Sequence, residues 1–316
     1  MAAPPKKIAL LNAFAALYII WGSTYLGIRF AIDTIPPLLM AGTRFLLAGL
    51  ILRIIARWQG APRASLAEWR TSLIVGACLL LGGNGGVTFA EQYVSSGLAS
   101  VMVATVPIYM ALLAWAIGTA PKPSPIVWLG LAGGFVGVGI LVGPALHFTP
   151  NETNYPGIGI LILLCSSFLW SAGSIYSTKA KTASSPFLAA SQQMLCGGAL
   201  LTLASVVTGE LQRFEASRVS LLSVGSFAYL VIVGAVVGFT AYIWLLRHCH
   251  PAKVATYAYV NPIVAVALGA LFAGETLTPR ALVAAGLIIG SVALVITVQQ
   301  SKSKPVPVDA ALARTD

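Results

Sequence analysis

Ten stretches of mainly apolar residues, each close to the roughly 20 needed to cross a bilayer core as a helix, divide this chain, with short polar or Gly/Pro-rich breaks between them. They run approximately over 8–31, 38–56, 71–90, 97–118, 124–143, 157–178, 187–208, 221–246, 253–273 and 279–298. Backbone N–H and C=O groups meet no water inside lipid, so segments of this kind are predicted to be helices that satisfy their own polar groups. The composition agrees: 58% of the 316 residues are hydrophobic and 9% charged, against roughly a quarter charged in soluble proteins. A soluble domain and a disordered chain are both excluded. Cys78, Cys165, Cys196 and Cys249 form no C-x-x-C pair and no Cys/His spacing, so neither a disulfide framework nor a zinc site is indicated. Lys6-Lys7 before an apolar run imitates a signal peptide, but the run continues past a signal's length and reads as the first transmembrane helix.

The formal charge of +10 is mainly a record of topology. With Lys6 and Lys7 inside, the even-numbered connections and the tails also hold Arg53, Arg57, Arg63, Arg70, Lys122, Lys179, Lys181, Arg247, Lys253, Lys302, Lys304 and Arg314. That is 14 cations inside against Arg213, Arg218 and Arg280 outside, with Arg29 and Arg44 set apart inside spans. The positive-inside rule then places both termini in the cytoplasm. Residues 299–316 read as a polar, disordered cytoplasmic tail.

The second half repeats the first. Trp21 with Trp170, Pro37 with Pro186 and Arg44 with Gln193 each differ by 149, and Gly118 with Gly274, Pro123 with Pro279, Gly130 with Gly286 and Gly134 with Gly290 each differ by 156. Two tandem copies of five helices, an odd number, must enter the membrane in opposite senses. The fold class predicted is an all-α integral membrane protein of ten transmembrane helices in two inverted five-helix repeats, 8–143 and 157–298. Inverted repeats are a transporter architecture, because two pseudo-symmetric halves can exchange conformations around a central site.

Taken together, Trp21-Gly22-Ser23-Thr24-Tyr25, Pro36-Pro37 followed by Arg44-Phe45, Gly82 to Gly86 around Asn84, Tyr257-Ala258-Tyr259-Val260-Asn261-Pro262 and Gly274-Glu275 resemble the EamA-type transporters of the drug/metabolite transporter superfamily. The resemblance spans nearly all of residues 10–298. It implies a ten-helix carrier of a bacterial inner membrane, commonly an exporter of amino acids, metabolites or drugs, with a cavity framed by both halves. Where the family often has Glu in each copy at the Gly-Glu position, the first copy here has Gly118-Thr119. This departure weakens a coupling role for Glu275.

Polar side chains within spans must face another helix or a water-filled cavity, which makes them the pointers to a pathway. Tyr18, Trp21 and Tyr25 share one face of helix 1, and Ser167, Trp170, Ser174 and Ser177 repeat the spacing on helix 6. Such faces suit a small amphipathic or aromatic solute, although serines alone also serve as interhelical glue. Arg44 lies about two turns into helix 2, where a charge costs roughly 2.5–3.5 kcal/mol on insertion scales; an ion pair with Glu91 and a substrate carboxylate are equal alternatives, with Asp33 near the same outer side. Arg29 is expected to snorkel. Asn84 sits in a glycine run that permits either local unwinding or close packing. Tyr257 and Asn261 are i, i+4 neighbours beside Pro262, the counterpart of Pro107. The candidate substrate-binding set is therefore Trp21, Tyr25, Arg44, Asn84, Trp170, Ser174, Tyr257 and Asn261. Glu91 and Glu275 are candidate proton-coupling acids, though their positions near outer helix ends favour simple solvation. The G-x-x-x-G pairs Gly130, Gly134 and Gly286, Gly290 point to close helix packing within or between chains, including a homodimer.

No nucleophile, base or metal cluster at membrane depth supports an intramembrane enzyme. His147 falls in an outer connection, and His248-Cys249-His250 lacks a fourth ligand. No P-loop, cofactor motif or nucleic-acid signature appears. A secondary carrier exporting small metabolites or xenobiotics, with lipid around it and protons as a coupling ion, is the reading. An intramembrane enzyme and a non-transporting membrane sensor are the alternatives.

Overall fold

The computed structural model describes residues 7–118, 122, 124–142, 156–249, 254, 256–275 and 278–302, and no strand occurs among them. The helices are α1 (Lys7–Ala31), α2 (Pro37–Trp58), α3 (Leu66–Ala90), α4 (Ser96–Ala116), α5 (Pro125–Val142), α6 (Pro156–Lys179), α7 (Pro186–Val207), α8 (Leu221–Leu246), α9 (Tyr257–Phe272) and α10 (Pro279–Lys302). Among the described residues, seven helices are long and apolar enough to cross a membrane, namely α1 to α4 and α6 to α8. Shorter apolar runs lie in α5, α9 and α10. Of the disordered tail expected over 299–316, residues 299–302 instead continue α10; the remainder, the cations Lys6, Lys253, Lys304 and Arg314, and His147 and His250 lie outside the described residues.

Local chemistry sets the helix ends. Ser65 begins α3 with a capping box, its side chain accepting from Glu68 N while Glu68 Oε2 accepts from Ser65 N at 2.8 Å. Ser95, Ser185 and Ser220 accept in the same way at the starts of α4, α7 and α8. Glycines with left-handed backbone follow four helices: Gly60 (φ 73°) after α2, Gly118 (71°) after α4, Gly209 (73°) after α7 and Gly274 (62°) after α9. Two of these pairs keep the sequence offsets, 209−60 = 149 and 274−118 = 156.

The most extensive pairings join α2 to α7 and α5 to α10. In the first, Gly198 lies so close to α2 that an added Cβ would sit 2.8 Å from Leu46 N and 3.0 Å from Gly42 O. Small residues let the two backbones approach, because lipid supplies no hydrophobic drive between helices. In the second, Gly137 approaches Ala284 O. Gly286 and Gly290, expected in close packing, have no atom within 4 Å of an added Cβ, so among the described residues they are not the contact. α1 packs on α8 and α9, while α6 packs on α3 and α4.

Candidate functional site

Six helices converge on one cavity. It is lined by Trp21, Thr24, Tyr25 and Ile28 of α1, Arg44 of α2, Gly83, Asn84 and Val87 of α3, Val103 and Val106 of α4, Ser166, Ser167 and Trp170 of α6, and Tyr257 and Asn261 of α9. The α1 residues follow i, i+3, i+4, i+7 spacing, one face of a helix.

Two wall helices depart from α geometry. Across the glycine run, α3 does not unwind. It widens into a π-helical stretch, Ala77–Gly85, and resumes as α-helix at Gly86. α8 carries a matching stretch, Leu230–Val237, although it contains a single glycine. Each stretch is followed by Gly-x-Thr, with 238−86 = 152 and 240−88 = 152. π-helical turns leave backbone groups poorly matched within the helix, which is one reason they occur at functional sites. Here the Gly234 carbonyl accepts from Trp21 Nε1 at 3.3 Å. Without a Cβ, Gly83 leaves room for the Trp170 ring, which would lie 2.9 Å from that atom. In α4 the helix breaks after Val103 and restarts at Val106, beside Pro107, whereas α9 runs unbroken through Pro262.

The inner wall is aromatic. Trp21 is its hub, with ring centroids 5.0 Å from Tyr242, 5.2 Å from Tyr257 and 5.7 Å from Trp170, the last two edge to face. Ser174 lies off the cavity lining, and its hydroxyl bonds to that of Tyr242 at 3.3 Å. With its amide nitrogen turned toward α1, Asn261 donates to the carbonyls of Tyr18 (3.1 Å) and Tyr257 (3.2 Å), which ties α9 to α1. Tyr18 and Thr256 bond through their hydroxyls.

Arg44 is 3% exposed, with Nε and Nη1 buried and without hydrogen-bond partners. Its guanidinium carbon stands 4.6 Å from the Phe45 ring centroid. No ion pair forms with Glu91, one of the two pairings anticipated for it. Asn84 Oδ1 and Ser167 Oγ are likewise buried and unpartnered on the same lining. Buried polar atoms are nearly always hydrogen-bonded, so several orphans around one cavity mark a place prepared for water or a solute. The cavity measures about 60 Å³. With roughly 10–15 Å³ the least that one water needs, it has room for at most about four to six waters, far below the roughly 300 Å³ at which pockets for drug-sized ligands begin.

Simple solvation is overturned for both membrane-proximal acids. Glu91 is 0% exposed and both carboxylate oxygens lack partners, while its backbone carbonyl accepts from exposed Arg29 at 3.3 Å. Glu275 instead caps α4. Oε1 accepts from Ser96 N (2.9 Å) and Ser96 Oγ (2.7 Å), and Oε2 accepts from Gly97 N (3.0 Å). Glu210 is buried, with Oε2 accepting from Leu39 N at 2.9 Å at the start of α2. Charge spacing within its own loop gave no sign of that long-range cap. Thr24 was within reach of the spacing that selected Trp21 and Tyr25. Tyr242 was not, because Trp21, Trp170 and Tyr257, which bring it to the site, come from three other helices.

A chain that crosses the membrane repeatedly and gathers orphaned polar atoms and aromatic rings at a buried cavity has the build of a membrane transporter. It belongs to the EamA-like transporter family, whose model matches residues 7–143 and again 157–297. It is 38% identical to the uncharacterized inner membrane transporter YedA of Escherichia coli (strain K12), over 92% of this chain and 91% of that protein. Similarity extends to the uncharacterized transporter YvbV of Bacillus subtilis (strain 168), at 27% identity over 93% of each. It also extends to a probable amino-acid metabolite efflux pump of Salmonella typhimurium (strain LT2), at 25% identity over 88% of this chain and 92% of the other. A solved crystal structure superposes with a TM-score of 0.64 at 17% identity, covering 93% of this chain and 99% of its own, a likeness of fold.

Proposed function

We propose that this protein is a secondary carrier that exports small metabolites, amino acid-like or amphipathic solutes with a carboxylate and an apolar or aromatic body, by alternating access. The observation that carries the reading is the set of unpartnered buried atoms, Arg44 Nε and Nη1, Asn84 Oδ1 and Ser167 Oγ, on a cavity walled by Trp21, Trp170 and Tyr257. A carboxylate supplies what the guanidinium lacks, and an apolar body stacks on the rings. The contracted cavity supports a cycle in which solute enters only when the surrounding helices part.

In this reading the chain crosses the membrane ten times as two inverted repeats, 8–143 and 157–298, with both termini cytoplasmic in a bacterial inner membrane. The double family match, the paired left-handed glycines and the paired π-helical stretches support it. The name of the Salmonella relative supports the direction and the solute class. Protons are the proposed coupling ion, with buried Glu91 as the acid that exchanges them.

The test is untargeted metabolite profiling of cells and medium, comparing wild type with Arg44→Ala at equal membrane abundance, followed by uptake of the identified solute into vesicles. A carboxylate-bearing solute enriched outside cells only by wild type is the expected result. Equal export by both forms would remove Arg44 from the pathway.

A further inference from the structure

A second cavity lies away from the first, at the ends of α3 and α6. Its volume is about 520 Å³, and its walls include Leu66, Arg70 and Thr71 of α3, Tyr176 and Lys179 of α6, and Lys181 just beyond. Three cations therefore line one groove. Among the described residues none of the three belongs to an ion pair, the recorded pair being Arg218 with Glu215. The carboxylate nearest in sequence, Glu68, is committed to the backbone of Ser65 in the capping box. No carboxylate lines the groove, so among the described residues its three cations have no ion-pair partner.

Its level in the membrane narrows the occupant. Arg70 and Lys179 sit in the end turns of the spans Leu66–Ala90 and Gly157–Lys179, where a helix passes from hydrocarbon to headgroups. Leu66 and Tyr176 on its lining are 86% and 38% exposed. An exposed Tyr and Leu beside cations suit a lipid interface, where an aromatic ring sits at headgroup level and an aliphatic side chain faces the acyl chains. An aqueous anion would use the charge but leave this apolar rim in water, whereas a phospholipid covers both.

We propose that the groove between α3 and α6 binds the headgroup of an anionic phospholipid. Its phosphate lies among Arg70, Lys179 and Lys181, its polar headgroup lies near Thr71 and Tyr176, and its acyl chains run past Leu66. Basic pockets between transmembrane helices recognise such headgroups by charge and phosphate hydrogen bonding. Since α3 and α6 also wall the central cavity, a bound lipid touches two helices that carry it. The assignment does not depend on the transported solute.

The experiment uses the full chain in detergent, titrated with phosphatidylglycerol or phosphatidylcholine and read by native mass spectrometry. The variant R70Q/K179Q/K181Q is set against R57Q/R63Q/K122Q, which removes the same charge at exposed positions off the groove. Single K181Q, at an exposed site, guards against misfolding of the triple variant. Expected are selective retention of phosphatidylglycerol by wild type and by the control, and affinity lower by about fivefold per groove cation removed. Equal weakening in groove and control variants overturns the proposal, as does unchanged binding in the groove variant. Displacement of the lipid by millimolar inorganic phosphate also overturns it, in favour of a site for the free ion.

Discussion

Glu275, in the turn after α9, holds the first turn of α4 through Ser96, whose amide and hydroxyl both donate to Oε1 at 2.9 and 2.7 Å. The contact joins segments 179 residues apart. It occupies both carboxylate oxygens, the second with Gly97 N. A carboxylate at a helix N-terminus satisfies orphan amides and meets the positive end of the helix dipole. Glu275→Ala is expected to lower stability by about 1–3 kcal/mol, in the range of hydrogen bonds to charged groups, and Glu275→Gln by less. Thermal unfolding in detergent measures this, and a proton-to-solute ratio unchanged in Glu275→Gln is the companion result.

Arg44 separates a staple from a binding residue. Removing one partner of a buried ion pair costs roughly 3–5 kcal/mol because the other charge is stranded. Arg44 has no such partner. Arg44→Met is therefore expected to leave the unfolding temperature equal or higher while affinity for a carboxylate solute falls by about tenfold or more, the worth of one charge-assisted hydrogen bond. A large drop in stability would make Arg44 structural.

Glu91 offers a different contrast, because its oxygens are buried and unpartnered. If it carries the coupling proton, Glu91→Gln holds the neutral shape permanently. Transport by this variant is expected to become independent of an imposed pH gradient while solute exchange across the membrane persists. Vesicle flux with and without the gradient checks it, and a wild-type response to the gradient would reject the assignment.

Glycine positions give a test of packing. At Gly198 an added methyl meets backbone atoms, Leu46 N and Gly42 O, which cannot rotate away. Gly198→Ala should destabilise by about 1–3 kcal/mol, as overpacking does. Gly286→Ala meets nothing within 4 Å, and should be neutral or stabilising by up to about 1 kcal/mol through helix propensity. Paired thermal denaturation curves compare them.

The helical segments were legible in the chain itself, because lipid forces each backbone to close its own hydrogen bonds and so turns apolar length directly into helix. Trp21 and Tyr25 on one face of α1 followed from helical period, and the offset of 149 between Trp21 and Trp170 is present in the linear order. Tertiary structure decided what depends on approach between distant segments. It set the T-shaped contact of those two tryptophans, the commitment of Asn261 to α1, the π-helical stretch where unwinding was one expectation, and the burial of Glu91 and Glu210. Periodicity reports which way a side chain points. Whether it meets water, a backbone amide or nothing depends on atoms brought in from elsewhere in the chain, as Leu39 N is for Glu210, 171 residues away.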